Sequence, residues 1–222
     1  MAEYSGDCFL VPGPVRMNQK CLDAMATPVI TARGGEFRDV MAELNSGLRY
    51  AFNLAPSEPK KKTQSWAGDD DYKVMAVSGS GTAAMEMIIA NRFRTNDLVL
   101  VPTNGKFGER VAEMCKRFCN VKHIKYEWGR AFDLYELEQQ LERKCYEAVL
   151  ICHNETSSGI TQDAPAIAEM CNRYETSFIL DGITSIGGLP VDIDGWNVEA
   201  CLLYTSDAAD DTPCVDLGGR RI

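Results

Sequence analysis

The sequence predicts an α/β domain: a mainly parallel sheet sandwiched by helices. Short apolar runs alternate with stretches of helical period along most of the chain, which is the pattern of such a sheet. With 222 residues the chain is long enough for one large domain with a continuous core. Its composition, 45% hydrophobic and 25% charged, is that of a globular protein.

The elements follow in order. Residues 36–53 place Phe37, Val40, Met41, Leu44 and Leu48 on one helical face. Val74–Val77 is a short apolar run predicted as a strand, followed by a glycine turn and a helix over 82–93. Leu98–Val101 reads as a buried strand, and the next helix turns Phe107, Val111, Met114, Cys115 and Phe118 inward. A helix over 133–143 is carried by Leu134, Leu137 and Leu141. Ala148–Cys152 is a strand, 163–175 a helix, and Ser177–Leu180 a strand.

Two segments break the pattern. Residues 55–73, with Pro56, Pro59, Lys60–Lys62, Gly68 and Asp69–Asp71, have no period and are expected to form a solvated loop. The β-like run Val198–Tyr204 passes into Thr-Ser-Asp-Ala-Ala-Asp-Asp-Thr-Pro and then Asp-Leu-Gly-Gly-Arg-Arg-Ile, again without period. That stretch resembles translated sequencing-adapter sequence. The expected division is therefore a domain over 1–201 and a non-native tail over 202–222.

Charge and cysteine usage narrow the classes. Acidic residues outnumber basic ones 32 to 23, and a net charge of −9 disfavours a nucleic-acid partner. No apolar stretch approaches membrane-spanning length, and the N-terminus lacks a basic, apolar leader pattern. The nine cysteines include no CxxC pair, and with almost no histidine a structural metal site is a poor reading. Reduced, core-filling cysteines in a cytoplasmic protein are expected.

In an open parallel sheet, ligands bind at the carboxyl ends of strands. Distinctive residues fall there four times: Ser78–Thr82, Asn104–Gly108, Glu155–Gly159 and Asp181. The turn Ser78-Gly-Ser-Gly-Thr82 precedes a helix and suits a phosphate. It is not a Walker loop, because no Lys-Ser/Thr follows at the required spacing. It matches a dinucleotide Gly-x-Gly-x-x-Ala through Gly79, Gly81 and Ala84, but Pro102-Thr103-Asn104 stands where that fold wants an acid. A nucleophile elbow at Ser80 would need a histidine after Asp181, and both histidines lie earlier. A tight turn without a ligand is the bland alternative.

Asp181 closes an apolar strand, either as a solvated strand end or as a buried carboxylate paired with a cationic ring nitrogen. Thr156, Ser157 and Ser158 are turn residues or hydroxyl donors to a pyridine cofactor's phenolic oxygen. Phe107, between Gly105 and Gly108, is a core residue or an aromatic plate stacked on that ring.

On these residues the chain resembles the fold-type I, class V aminotransferases of the alanine–glyoxylate, serine–pyruvate and 2-aminoethylphosphonate transaminase group. The resemblance runs from Phe9-Leu-Val-Pro-Gly-Pro14 through Thr27–Phe37, Ser78–Thr82, Asn104–Arg110, His153–Gly159 and Leu180–Gly188, to about Cys201. It implies the large, pyridoxal 5'-phosphate (PLP)-binding domain of that fold. Ser80, Gly81 and Thr82 would hold the phosphate, and Phe107 would stack on the ring, where many relatives have tryptophan. Thr156 would bond the ring oxygen, Asp181 the ring nitrogen, and Ile183 would pack under the ring. Pro12, Gly13 and Pro14 would line the substrate entrance. A homodimer with active sites at the interface is also implied. So are a small amino acid (or aminophosphonate) as donor and a 2-oxo acid such as glyoxylate or pyruvate as acceptor.

The chain departs from the family at one point. A Ser-x-Lys motif belongs after the strand that follows Asp181, whereas here Leu203-Tyr-Thr-Ser-Asp207 stands there and no lysine follows Lys144. The expectation is a chain truncated before its Schiff-base lysine, without the small C-terminal domain, with no catalytic residue of its own and inactive. A sibling PLP lyase such as a cysteine desulfurase, or a lysine-less binding module, are the competing readings.

Overall fold

The computed structural model describes residues 18–55 and 72–204. Pro12–Pro14, most of the 55–73 segment and the tail from 205 lie outside them.

The chain divides into two units, the smaller comprising Met1–Ile30 and Thr205–Ile222. Its described part holds helix α1 (Gln19–Met25), which Asn18 caps by accepting from the Lys20 N–H at 2.9 Å. The larger unit, Thr31–Tyr204, holds the remaining described elements.

In chain order these are α2 (Gly35–Ala51), α3 (Gly81–Arg92), β1 (Leu98–Thr103), α4 (Lys106–Cys115) and β2 (Asn120–Lys125). Then come α5 (Leu134–Arg143), β3 (Ala148–Cys152), β4 (Asn154–Glu155), β5 (Ile160–Thr161), α6 (Ala164–Arg173), β6 (Ser177–Asp181) and β7 (Val198–Leu202). Five strands form one sheet in the order β2-β1-β3-β6-β7, every pair parallel. β7 runs one residue past the expected boundary at 201, and Leu202 is paired with Asp181 and buried.

Strand side chains alternate between two cores, as the two-residue period requires. On one face Leu100, Val149, Ile151, Phe178 and Leu180 pack with Leu137 and Leu141 of α5 and Ile167 and Cys171 of α6. On the other, Val99, Val101, Ala148, Leu150 and Ile179 pack with Met85 and Ile89 of α3 and Val111, Met114 and Cys115 of α4. Each such fully buried Leu, Ile, Val or Phe stabilises the fold by about 1.5–3 kcal/mol. The sheet is thus sandwiched by helices, as the alternation predicts.

Local rules set the helix starts. Asp133 accepts from the Tyr135 and Glu136 N–H groups to begin α5, and Asp163, followed by Pro165, caps α6 through Ala166 N–H.

Four expectations are modified. Val74–Val77 pairs with no strand among the described residues, with Val74 buried and Met75 and Val77 exposed. Apolar composition makes a strand only where a neighbour offers an edge. β2 was not anticipated, because Lys122, His123 and Lys125 mask its alternation; charged residues of this kind suit an edge strand. Neither was the β4–β5 hairpin, whose turn needs Gly159 at φ +73°. On α2 the apolar stripe is incompletely covered: Val40 and Leu44 are exposed, while Phe37, Met41 and Leu48 are half-buried.

Seven cysteines fall among the described residues, all free, and Cys115, Cys119, Cys152 and Cys171 are buried. No described helix is long and apolar enough to cross a membrane.

Candidate cofactor site

The strand order reverses direction beside β1: the chain moves outward to β2, then back across to β3. Crevices at the carboxyl ends of strands open at such switch points. Asn104–Gly108 follows β1 and His153–Gly159 follows β3, so two of the four expected loops flank this switch point. Asp181, the last residue of β6, pairs in register with Cys152 of β3 and Leu202 of β7.

Direct contacts join the four loops. Thr82 accepts from Arg110 Nη1 at 3.3 Å, tying the glycine turn to α4. Glu155 Oε2 accepts from the Gly108 N–H at 2.8 Å, tying α4 to the β4–β5 hairpin. The His153 N–H donates to the Asp181 carbonyl at 3.0 Å. Asn154 and Thr184 are joined by side-chain hydrogen bonds, including Thr184 Oγ1 to the Asn154 carbonyl at 2.8 Å. Ile183 closes the circuit, because its Cδ1 lies 2.7 Å from where a Cβ on Gly81 would sit. A side chain at 81 would push that terminal methyl aside.

In the glycine turn, Ser80 is the N-cap of α3, its Oγ accepting from the Ala83 N–H at 3.2 Å. Gly81 and Thr82 are the first two helical residues, whose N–H groups have no partner within the helix and face the loop end. The turn therefore offers donors and the positive end of a helix dipole, which an anion satisfies.

Phe107 is not inward with the rest of its helix face. It is 38% exposed, whereas Val111, Met114 and Cys115 are buried. A large aromatic left open just past a strand's carboxyl end suits a planar ligand. Its position is set by an arrangement that sequence reasoning missed. Gly105, the N-cap of α4, has no side chain to cap with. The capping groups arrive instead from the hairpin: Glu155 takes the Gly108 N–H, and Ser157 Oγ takes the Lys106 N–H at 2.7 Å. Glu155 Oε1 in turn accepts from Ser157 N–H at 3.1 Å and Ser157 Oγ at 2.5 Å. A Cβ on Gly105 would fall 2.3 Å from Glu155 Cγ, so the latch requires glycine there. Gly105→Ala is expected to cost about 2 kcal/mol, measured by urea unfolding. The sequence signal was available: a glycine N-cap and an acid between an apolar strand and a serine.

Asp181 is 8% exposed. The one hydrogen bond its carboxylate accepts among the described residues is from Ile183 N–H at 3.1 Å. Burial pushes its pKa up to about 6 from an ordinary 3.8; the Ile183 bond opposes this and Glu155 adds to it. A buried carboxylate with no cation beside it is costly, and a cationic ring nitrogen would offset that cost. His153 lies next to this strand end, edge-on to Trp196 with ring centroids 5.9 Å apart. Among the described residues its Nδ1 is buried without a partner, as is Ser158 Oγ, and burial lowers the His153 pKa. Thr156 is half-buried on the hairpin turn.

The raised Asp181 pKa has a testable sign. The folded protein holds this proton more tightly than the unfolded chain, so Asp181 weakens folding as the pH rises from about 4 through about 6, by ~3 kcal/mol in all. In ligand-free protein, Asp181→Asn is expected to remove that component. The gap between variant and wild-type stability should widen from about pH 4 to about pH 7 in urea titrations. A constant gap would show that the carboxylate is not desolvated.

Among the described residues no cluster of three His, Cys, Asp or Glu groups could hold a metal ion. The residues present do fit a phosphorylated pyridine: a helix N-terminus for the phosphate, an open aromatic face, and a buried acid with no cation beside it among the described residues.

Comparison with known proteins gives the same direction. The family model described as Aminotransferase class-V matches residues 25–204. The chain is 30% identical over 195 residues to the (S)-ureidoglycine–glyoxylate transaminase of Bacillus subtilis, covering 87% of this chain and 43% of that protein. It is 33% identical to the soluble hydrogenase 42 kDa subunit of Anabaena cylindrica, covering 86% and 48%. The crystal structure of an alanine–glyoxylate aminotransferase from Nostoc sp. superposes with a TM-score of 0.73 at 34% identity, covering 85% of this chain and 47% of that one. The chain spans less than half the length of these relatives.

Proposed function

Because this chain belongs to the class-V aminotransferase family, and membership implies pyridoxal 5'-phosphate as cofactor, we propose that it is the cofactor-binding part of a transaminase. The parent enzyme would move an amino group from a small amino acid or aminophosphonate to a 2-oxo acid such as glyoxylate or pyruvate. The observation that carries this reading is Asp181: a buried carboxylate at a strand end, with no cation beside it among the described residues, joined through Ile183 to the glycine turn.

PLP, when bound, supplies an electron sink for the carbanion at the substrate's α-carbon. The chain's own residues orient it and tune it. Ser80, Gly81 and Thr82 present backbone and hydroxyl donors for the phosphate. Phe107, held by the Glu155 latch, offers one face for the ring, and Ile183 packs against the other. Thr156 supplies a hydroxyl at the ring oxygen. Asp181 stays ionised when a ring N–H faces it and so keeps that nitrogen protonated. Pro12, Gly13 and Pro14 are proposed to line the substrate entrance.

We assign residues 1–201 to the large PLP-binding domain and residues 202–222 to non-native sequence. This rests on the aperiodic tail and on the absence of any lysine after Lys144. Without an amine to hold the cofactor or shuttle a proton, the chain would bind PLP noncovalently and transfer no amino group. The parent is proposed to be a cytoplasmic homodimer.

Two measurements test this. The genomic sequence after the Cys201 codon should continue in frame through Ser-x-Lys into roughly as much sequence again, as in the relatives of which this chain spans less than half. An unchanged reading through the tail would favour a binding module instead. The full chain should take up PLP without a borohydride-fixed adduct. Measurable amino transfer would overturn the claim of inactivity.

A further inference from the structure

Arg110 lies one helical turn after Phe107 on α4, so the two side chains share a face. Its guanidinium carbon sits 5.5 Å from the centre of the Phe107 ring. Its Nη1 donates to Thr82 Oγ1 at 3.3 Å, across to the first turn of α3. That turn already gathers partial positive charge from its N–H groups.

Three arginines of the unit are neutralised by acids. Arg92 pairs with Glu147 and Glu199, Arg130 with Glu127, and Arg173 with Glu138 and Glu169. Arg110 has no ion pair among the described residues, in a chain whose net charge is −9. A full positive charge and a helix N-terminus thus converge on one hydroxyl with no anion between them. Like charges brought together cost free energy, and a dianion placed there reverses the sign. A guanidinium has five N–H groups in a planar fork, and Thr82 takes one.

We propose that Arg110 is a further residue for the cofactor's phosphate, holding it against the Ser78–Thr82 turn while its planar face braces the Phe107 ring. It links the phosphate end of the site to the stacking plate, so charge and ring recognition are coupled through one side chain. The inference rests on the cofactor site proposed above and adds a charged member to it.

The test compares PLP with pyridoxal, which has the same ring and no phosphate, by calorimetric titration of the full chain. Wild type is expected to prefer PLP. Arg110→Ala should weaken PLP about tenfold, the size expected for one lost charge-assisted hydrogen bond, and leave pyridoxal within about twofold. Arg110→Lys should fall between them, keeping the charge without the fork. Because Arg110 is exposed, both variants should melt near wild type.

If the variants weaken both ligands equally, or neither, the PLP-to-pyridoxal ratio is unchanged. Arg110 is then at most a brace for Phe107, and the inference is overturned. If wild type shows no preference for PLP, the phosphate site itself is wrong and the inference falls with it. The two failures are told apart by the wild-type titration alone.

Discussion

Replacing Asp181 with alanine is expected to weaken PLP binding by about a hundredfold while leaving the protein folded. The magnitude follows from burial. A charge-assisted hydrogen bond between a desolvated carboxylate and a ring N–H is worth several times an exposed one, and removing one member leaves the other without its partner, about 3 kcal/mol. Asp181 meets the conditions: it is 8% exposed, the recorded donor to it is one backbone N–H, and its pKa is pushed up to about 6. Asp181→Asn separates shape from charge. It fills the same space and accepts the Ile183 N–H, yet cannot compensate a cationic ring, so its affinity should fall almost as far. Both variants should be more stable than wild type when empty at neutral pH, because an ionised group has left the interior. Titration calorimetry with urea unfolding measures both quantities. Affinity within threefold of wild type in either variant would remove Asp181 from the site.

The second large effect lies at Glu155. This side chain is fully buried and receives Gly108 N–H, Ser157 N–H and Ser157 Oγ. Glu155→Ala removes one acceptor group from three donors at once, and a cap for α4 with it. The expected loss is about 3 kcal/mol of stability, in the range for an unsatisfied buried network. Glu155→Gln keeps the shape and one oxygen and should lose about half as much. The decisive readout is the position of Phe107. Alanine at 155 frees the first turn of α4, so PLP and pyridoxal should both weaken by the same factor, unlike the phosphate-selective loss expected at Arg110. A loss of stability below 1 kcal/mol would mean that the hairpin does not hold α4 in solution.

Much of this could be read from residue order. β3, whose residues Ala148–Cys152 are all buried, was legible as an unbroken apolar run, because a strand covered on both faces has no polar side. The α5 and α6 starts were legible from Asp133 and Asp163, since capping acts within a few residues. Asp181, Phe107 and the glycine turn stand out in the sequence because an acid, an aromatic and paired glycines at strand ends are unusual for packing alone. β2 was not legible: as a charged edge strand its identity depends on pairing with β1, 22 residues earlier in register. Val74–Val77 failed in the opposite direction, apolar enough for a strand but without a described neighbour to pair with.

By itself the sequence determined the α/β class, the order of most elements, and which side chains are chemically suited to a phosphorylated pyridine. Propensity, period and capping are local, so they are written in the order of residues. The tertiary structure alone decided that the four loops meet, that Glu155 rather than a residue of α4 caps that helix, and that Arg110 reaches Thr82. Those facts depend on strand order and on which loops face one another. Proximity between residues dozens of positions apart is a property of packing, and no local pattern encodes it.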